Sequence, residues 1–330
     1  MSSIRALRVF EEGDGVVSRV VELDAGELPA GDVVIRAAWS GLNYKDALTV
    51  TGTRRIMSAL PMNAGIDVAG TVESSQDPRW QPGDEVLVTG CGLGDRSDGG
   101  YAELVRVPAD WVIPLPRGFD ARRAMAIGTA GFTAGMALVR MEQIGQEPST
   151  GPLLVNGASG GVGGFAVRLF SRAGYSVSAV TGKTEAAEYL RSLGAAEVLD
   201  TSEIEYGTKP LEKTRWGGAL DNLGGDMLAW LTRTVAPWGS IASVGRAAGT
   251  ELNTTVLPFI LRGVSLLGIN SVQCARELRL AVWNRITELI GPEDCDAMVS
   301  EEIGLESVVD RANALLGRRV RGRILVRPNS

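Results

Sequence analysis

The spacing of hydrophobic and polar positions divides this chain into two parts. Up to about residue 120 the apolar runs are short, and turn signals such as Gly31-Asp32 and Pro82-Gly83-Asp84 separate them. This pattern predicts strands joined by turns. The predicted strands cover residues 33–39, 66–72, 84–88 and 101–107. We expect this first part to form a compact β-rich barrel.

From about residue 124 onward the pattern alternates between strand and helix. The predicted helices cover residues 165–173, 184–193, 226–235 and 277–290, and the predicted strands cover 153–155, 177–180, 197–199, 219–222, 240–244, 264–268 and 323–326. Such alternation is typical of a doubly wound parallel sheet in an α/β fold. We therefore expect a barrel domain at residues 1–123, to which 271–330 return, and a nucleotide-binding domain at 124–270.

A glycine-rich turn joins the first strand of the second part to its first helix. The run Asn156-Gly157-Ala158-Ser159-Gly160-Gly161-Val162-Gly163 follows the apolar residues 153–155 and precedes the helical pattern at 165–173. Glycines at these positions let the backbone turn tightly, approach a phosphate and pack helix against strand. The order strand, turn, helix, strand predicts a site for a dinucleotide pyrophosphate at the helix N-terminus.

The end of the next strand indicates which dinucleotide is bound. Proteins that prefer NAD place an acidic residue there, whereas this chain has Thr181-Gly182-Lys183 and no carboxylate before Glu185. An ammonium and a hydroxyl attract a 2′-phosphate that a carboxylate would repel. The sequence therefore favours NADPH. The alternative is that Lys183 is an ordinary surface lysine.

Composition and charge narrow the class of protein. The chain has 330 residues, of which 45% are hydrophobic and 22% charged, and its net charge is -6. An acidic chain argues against a nucleic-acid surface. The charge-free stretches 124–139 and 148–167 are expected to be buried core rather than membrane spans, because the first is too short and glycines interrupt the second. Without an apolar signal region at the N-terminus, we expect a soluble cytoplasmic protein that contacts no membrane.

The chain contains no histidine, and its three cysteines, Cys91, Cys274 and Cys295, lie far apart in the sequence. Ser-His-Asp and Cys-His catalysis are therefore impossible, as is a zinc site made of four thiolates or of imidazoles. Cys91 alone is expected to be a small packing residue. We expect redox chemistry without a metal.

Several motifs give the chain a family resemblance over essentially its whole length. They are residues 40–48 (SGLNYKDAL), 61–72 (PMNAGIDVAGTV), 127–134 (IGTAGFTA), 156–163 and 257–264 (LPFILRGV). With these motifs the chain resembles the zinc-free, quinone-oxidoreductase-like branch of the medium-chain dehydrogenase/reductases. Within that branch it is similar to the acryloyl-CoA reductase group.

The resemblance implies a Rossmann doubly wound parallel sheet plus a GroES-like β-barrel catalytic domain, in a homodimer. It also implies NADPH-dependent reduction of the carbon–carbon double bond of acryloyl-CoA to propanoyl-CoA. Relatives are expected to carry an arginine where this chain has Asp200-Thr201, which would weaken one phosphate contact. The implied cofactor contacts fall on Tyr44, Thr129, Ala158, Ser159, Gly160, Gly161, Val162, Thr181, Gly182, Lys183, Thr201, Arg246, Ile260, Ser271 and Arg323.

Reduction of an enoyl thioester needs a hydride at the β-carbon, a proton at the α-carbon and donors at the thioester oxygen. Tyr44 is the first candidate, either as orienting group and proton donor or as a packing surface for the cofactor. Asn43 either donates a hydrogen bond to the thioester oxygen or caps the helix that starts there. Lys45 either stabilises the negative charge that develops on the substrate, or it pairs with Asp46 or faces solvent. Thr133 either allows close approach of the cofactor or packs between helices.

The phosphates of CoA need cations, and Arg54-Arg55 is the candidate pair, with an ordinary surface charge pair as the alternative. Two other functions stay open. The first is an NADPH:quinone oxidoreductase, although aromatic residues make up only 5% of the chain. The second is a non-catalytic NADPH- or RNA-binding protein like the crystallin relatives. The strand at 264–268 is apolar enough to need covering by a partner subunit.

Overall fold

The structure, a computed structural model, describes residues 3–330. In that range the chain forms sixteen strands and nine α-helices. The strands are β1 (Ser3–Glu12), β2 (Gly15–Asp24), β3 (Val33–Leu42), β4 (Met62–Asn63), β5 (Asp67–Ser75), β6 (Glu85–Thr89), β7 (Leu104–Val107), β8 (Ile113–Pro114), β9 (Leu153–Val155), β10 (Val177–Thr181), β11 (Ala195–Asp200), β12 (Gly218–Asp221), β13 (Ser240–Ser243), β14 (Ser265–Gly268), β15 (Val299–Ile303) and β16 (Arg323–Val326). The helices are α1 (Tyr44–Val50), α2 (Ala121–Gln143), α3 (Gly161–Arg172), α4 (Ala187–Ser192), α5 (Gly225–Thr234), α6 (Leu257–Arg262), α7 (Arg276–Leu289), α8 (Pro292–Met298) and α9 (Val308–Leu316).

The described chain divides into two compact units. The first contains residues 3–129, 272–281 and 291–330, and the second contains 130–271 and 282–290. This differs from the predicted division in two places: 124–129 belongs to the first unit, and 271 and 282–290 belong to the second. For 282–290 the reason is close packing inside the second unit. A Cβ placed on Gly135 would come within 2.5 Å of Ile286, and the rings of Phe132 and Trp283 stack with centroids 6.1 Å apart.

The first unit is built on two sheets whose strands pair antiparallel, except that β15 and β16 are parallel. A seven-stranded sheet has the order β15-β16-β3-β5-β6-β8, with β7 also paired to β3, and a second sheet has the order β2-β1-β4. Along β3 the alternate residues Val33, Ile35 and Ala37 are fully buried, while Arg36 between them is exposed. This period of two is what a strand with one face on a core requires. The predicted strands of residues 33–107 are present with shifted ends.

The second unit is a six-stranded parallel sheet with the order β11-β10-β9-β12-β13-β14. Counted from β9, this is the 3-2-1-4-5-6 order of the doubly wound dinucleotide-binding fold. The order reverses between β9 and β12, and ligands of such sheets bind outside the carboxyl ends of the strands at that point. The predicted doubly wound parallel sheet is therefore confirmed, with β14 at one edge.

Helix α2 contains a break at Gly128, whose φ of 47° and ψ of -157° are not helical. A Cβ at this position would lie 2.6 Å from Asp67 Oδ2, so the positive φ and the contact both require glycine. By length and composition alone, α2 is the one helix of residues 3–330 that could cross a membrane. Because 83% of its apolar window is buried inside the protein, it has the surroundings of a core helix.

Candidate functional site

The glycine-rich turn has the geometry of a phosphate cradle. Strand β9 ends at Val155, and α3 begins at Gly161 with Gly160 as its extended N-cap. A Cβ on Gly163 would lie 2.3 Å from Gly157 O, so the helix packs on the turn at a distance that only glycine allows. The first N–H groups of a helix have no partner within it and are oriented to bind an anion. The turn therefore fits a dinucleotide pyrophosphate.

A pair of asparagines holds the turn between two neighbouring strands. Asn156 Nδ2 donates to Asp221 Oδ1 over 2.5 Å, and Asn222 donates from its backbone to Asn156 Oδ1 over 2.6 Å and from Nδ2 to Asn156 O over 2.7 Å. These hydrogen bonds between the two strand ends were not predicted from the sequence. Their signal was available, because polar residues follow both β9 and β12, and the carboxyl ends of parallel strands meet at one edge.

Residues from the ends of β10 and β11 meet the turn at the same edge. Thr181 Oγ1 lies 3.1 Å from Ser159 Oγ and also accepts the Lys183 backbone N–H over 3.1 Å. A Cβ on Gly182 would lie 3.8 Å from Thr201 Oγ1. The structure thus brings together four of the predicted cofactor residues, with the half-buried Lys183 beside them.

The other predicted cofactor residues of this unit lie on the following loops. Arg246 is exposed after β13, and the half-buried Ser271 follows β14. Since the strands are parallel, both loops leave the sheet at the edge where the glycine turn lies. Ile260 is exposed on α6, and Thr133 is buried in α2. Their contribution to cofactor binding stays a prediction.

In the first unit a buried polar network lies next to Tyr44. Asn43 caps α1, and its backbone N–H donates to Asp46 Oδ2 over 2.9 Å. Its side-chain Nδ2 donates to Asp67 Oδ2 (2.8 Å), Asp46 Oδ2 (3.2 Å) and Gly41 O (3.3 Å). Both amide hydrogens are therefore engaged inside the protein. Of the two roles predicted for Asn43, the structure supports the cap and contradicts donation to a thioester oxygen.

Arg323 completes this network, and its side chain is bound to acceptors of the protein. Its guanidinium is 2% exposed and donates to Asn43 Oδ1, Leu42 O and Ala126 O, each over 3.0 Å. Its NH2 group lies 3.7 Å from Asp67 Oδ2. The guanidinium is therefore enclosed among protein acceptors and offsets buried negative charge, and the cofactor contact at Arg323 that the resemblance implies stays a prediction.

Charge in the network is unequal, with two buried carboxylates against one guanidinium. Burial, and then the charge of Asp67, raise the pKa of Asp46 to about 7. Burial likewise raises the pKa of Tyr101, whose hydroxyl donates to Gly41 O over 3.1 Å, and lowers the pKa of Arg323. Desolvation thus favours a protonated Asp46, while the N–H donors of Asn43 and Ile66 on its two oxygens favour the carboxylate and partly offset that effect.

The side chains around Tyr44 separate into exposed and paired groups. Tyr44 is the first residue of α1 and is 49% exposed, so its phenol is accessible from solvent. Lys45 Nζ lies 2.6 Å from Asp95 Oδ2, which corrects the expectation that it pairs with Asp46. Arg55 is an exposed partner of Glu11 at 3.1 Å, and Arg54 is exposed beside it. Arg54 and Arg55 therefore have the arrangement of ordinary surface charges, which is the alternative given for them above.

Two family models match the chain, one in its N-terminal part and one in its C-terminal part. The alcohol dehydrogenase GroES-like domain matches residues 29–117, and the model described as zinc-binding dehydrogenase matches residues 161–290. The chain belongs to the medium-chain dehydrogenase/reductase family. It is an oxidoreductase of the zinc-free type of that family. Within residues 3–330, no three potential ligand side chains lie together as a metal site.

Full-length relatives carry two kinds of name. The chain is 45% identical to the "Probable acrylyl-CoA reductase AcuI" of Escherichia coli (97% of this chain, 99% of the relative). It is 42% identical to the "Acrylyl-CoA reductase AcuI" of Ruegeria pomeroyi (97% of each). It is 44% identical to the "Putative quinone oxidoreductase YhfP" of Bacillus subtilis (98% of each).

Solved structures of similar proteins share the whole fold. A protein of E. coli K-12, YhdH with bound NADPH, superposes with a TM-score of 0.95 at 44% identity and covers 98% of this chain and 100% of its own. YhfP of B. subtilis with NAD bound has a TM-score of 0.95 at 43% identity and covers 99% of this chain and 100% of its own. These matches confirm the predicted combination of a Rossmann sheet and a GroES-like domain.

Proposed function

We propose that the chain reduces the carbon–carbon double bond of acryloyl-CoA, or a similarly small enoyl-CoA, with NADPH. The observation that carries the proposal is the match, over the whole chain, to two proteins named as acrylyl-CoA reductases. The geometry of the second unit supports the cofactor. Its glycine turn can hold a pyrophosphate, and the end of β10 presents hydroxyls and an ammonium where an NAD site has a carboxylate.

The residues of the chain would divide the work between binding and proton transfer. When bound, NADPH supplies the hydride that the β-carbon receives. Residues 158–162 would bind the pyrophosphate through backbone N–H groups, and Thr181, Gly182, Lys183 and Thr201 would bind the 2′-phosphate and ribose. Tyr44 would orient the thioester and donate the proton to the α-carbon, because its phenol is accessible at the start of α1.

Reduction of quinones is the second candidate function, because a relative of 44% identity is named as a quinone oxidoreductase. The two functions share cofactor, fold and hydride donor and differ in the acceptor. The deciding experiment measures NADPH oxidation with acryloyl-CoA, crotonyl-CoA and benzoquinone under identical conditions. We expect the highest kcat/KM with acryloyl-CoA, and a higher kcat/KM with the quinone would overturn the proposal. A parallel series with NADH tests the cofactor.

A further inference from the structure

An arginine-lined cavity of about 630 Å3 lies within the first unit. The loop after β6 contributes Arg96, and the segment around the start of α7 contributes Arg276 and Arg279. Arg79, the indole of Trp111 and the carboxylates of Asp110 and Glu277 also line the cavity. A cavity of this size is within the range of small-molecule sites. None of these arginines was predicted from the sequence to bind a ligand.

The arginines of this cavity differ in how they are neutralised. Arg79 pairs with Asp77 and Asp110, each at 2.8 Å. Arg96 instead donates to Cys91 O over 3.0 Å, and Arg276 donates to Val112 O over 2.6 Å and Asp110 O over 3.2 Å. A carbonyl oxygen satisfies a donor but does not cancel a full positive charge. Arg96 and Arg276 therefore keep both charge and further N–H donors for an anion.

The cavity also has an aromatic side chain, and a salt bridge connects its loop to the helix of Tyr44. The Trp111 indole packs on the buried core and remains partly exposed at the cavity, so it can stack on a base. Asp95, next to Arg96 in sequence, pairs with Lys45, which is next to Tyr44. The salt bridge therefore fixes the arginine loop against the helix that carries the proposed proton donor.

We propose that this cavity binds the phosphorylated adenosine end of the CoA thioester, with Arg96 and Arg276 on its phosphates and Trp111 beside its base. The inference rests on the proposed acyl-CoA function. It replaces Arg54 and Arg55 as the phosphate site, because Arg55 is paired with the carboxylate of Glu11, whereas Arg96 and Arg276 donate to backbone carbonyl oxygens. Guanidinium groups bind phosphates through paired N–H donors.

The test compares two substrates with the same reacting group. Acryloyl-CoA carries the nucleotide, and acryloyl-N-acetylcysteamine lacks it. We expect Arg96→Gln and Arg276→Gln each to lower the ratio of kcat/KM for the CoA ester to that for the truncated thioester by about tenfold, the size of one charged hydrogen bond. Arg117→Gln removes the same charge from an exposed loop of the same unit and should leave the ratio unchanged. An equal loss on both thioesters, or a loss of the ratio in Arg54→Gln instead, overturns the cavity.

Two further measurements separate this inference from the proposed function. Adenosine 3′,5′-bisphosphate should compete with acryloyl-CoA at saturating NADPH, whereas inhibition competitive with NADPH would place the ligand at the cofactor turn and overturn the cavity. If neither thioester is reduced, the proposed function fails. Calorimetric titration of CoA into the NADPH-loaded protein then tests the cavity alone. Binding that Arg96→Gln weakens about tenfold supports it, and no binding overturns it.

Discussion

The Asp67 carboxylate accepts hydrogen bonds from both the backbone and the side chain of Thr129. The Thr129 N–H donates to the two carboxylate oxygens over 3.1 and 2.9 Å, and its hydroxyl donates to Oδ1 over 2.6 Å. Asp67 is fully buried in β5, and Thr129 directly follows the break at Gly128. The carboxylate thus fixes where the chain resumes its helix and how a predicted cofactor residue is oriented.

Asp67→Asn should destabilise the protein strongly. An amide would place a donor against the Thr129 or Asn43 donors, and it would remove a negative charge 3.7 Å from buried Arg323. Loss of one partner of a buried ion pair costs about 3–5 kcal/mol, and urea unfolding measures it. The control is Arg36→Gln, which breaks the exposed pair with Glu73 at 2.8 Å and should cost less than about 1 kcal/mol. Similar losses in both variants would contradict a central role for Asp67.

Asp46 should make stability decrease with rising pH. Its pKa of about 7 in the folded protein lies above its ordinary value of 3.8, so the folded chain retains a proton that the unfolded chain releases. The resulting stabilisation is complete below pH of about 4 and is lost as the pH rises to about 7. Asp46→Asn cannot titrate and should show a smaller decrease in urea midpoint between pH 5 and 8. Asp14→Asn, which changes an exposed carboxylate, should behave like the wild type.

Local patterns in the sequence were sufficient for the cofactor turn and not for the network under Tyr44. The turn lies in one run, and its glycines are required by contacts within that run, such as Gly163 against Gly157 O. Strand β16 was predicted to the residue because apolar positions lie between Gly322 and Pro328. The hairpin of β1 and β2 was not predicted, since β2 has no buried position and its polar residues hide the alternation.

The network escaped prediction because it joins distant segments. Asn43, Asp67, Thr129 and Arg323 come from four parts of the chain, and their hydrogen bonds arise only when β5 and β16 pair on either side of β3. The resemblance implies a cofactor contact at Arg323, and nothing in the sequence reveals that carboxylates are among its neighbours in space. Lys45 likewise pairs with a residue that is distant in sequence, because its partner Asp95 is fifty residues away.

Lys183→Gln should reduce the preference for NADPH over NADH. The ammonium would pair with the 2′-phosphate, which NADH lacks, so KM for NADPH should rise about tenfold while KM for NADH stays constant. Steady-state kinetics with both cofactors at saturating acceptor measures the change. Lys209→Gln removes an exposed lysine of the same unit and should leave the preference intact. If Lys183→Gln keeps the preference for NADPH, Lys183 does not bind the 2′-phosphate and is an ordinary surface lysine.

Tyr44→Phe separates proton donation from packing. The ring is retained and the hydroxyl is lost, so donation predicts a fall in kcat of about 100-fold with KM nearly constant. The solvent isotope effect on kcat should also change, since another donor then supplies the proton. Tyr206→Phe makes the same change at another half-exposed tyrosine and should have no effect on kcat. Unchanged turnover in Tyr44→Phe would leave Tyr44 as a packing residue.

The edge of the parallel sheet is where we expect two copies of the chain to associate. Strand β14 has a neighbour on one side within its sheet, and α6, which immediately precedes it, exposes Ile260 (68%) and Leu261 (64%). Trp238 is 81% exposed and packs against Gly263, which lies between α6 and β14. A Cβ on Gly263 would lie 2.9 Å from the Trp238 ring. An open edge next to apolar side chains favours pairing with an identical edge. Sedimentation at micromolar concentration should give a dimer for the wild type and a monomer for Leu261→Glu, with Val17→Glu, an exposed apolar residue of the other unit, remaining dimeric. A monomeric wild type would show that this edge is covered in another way.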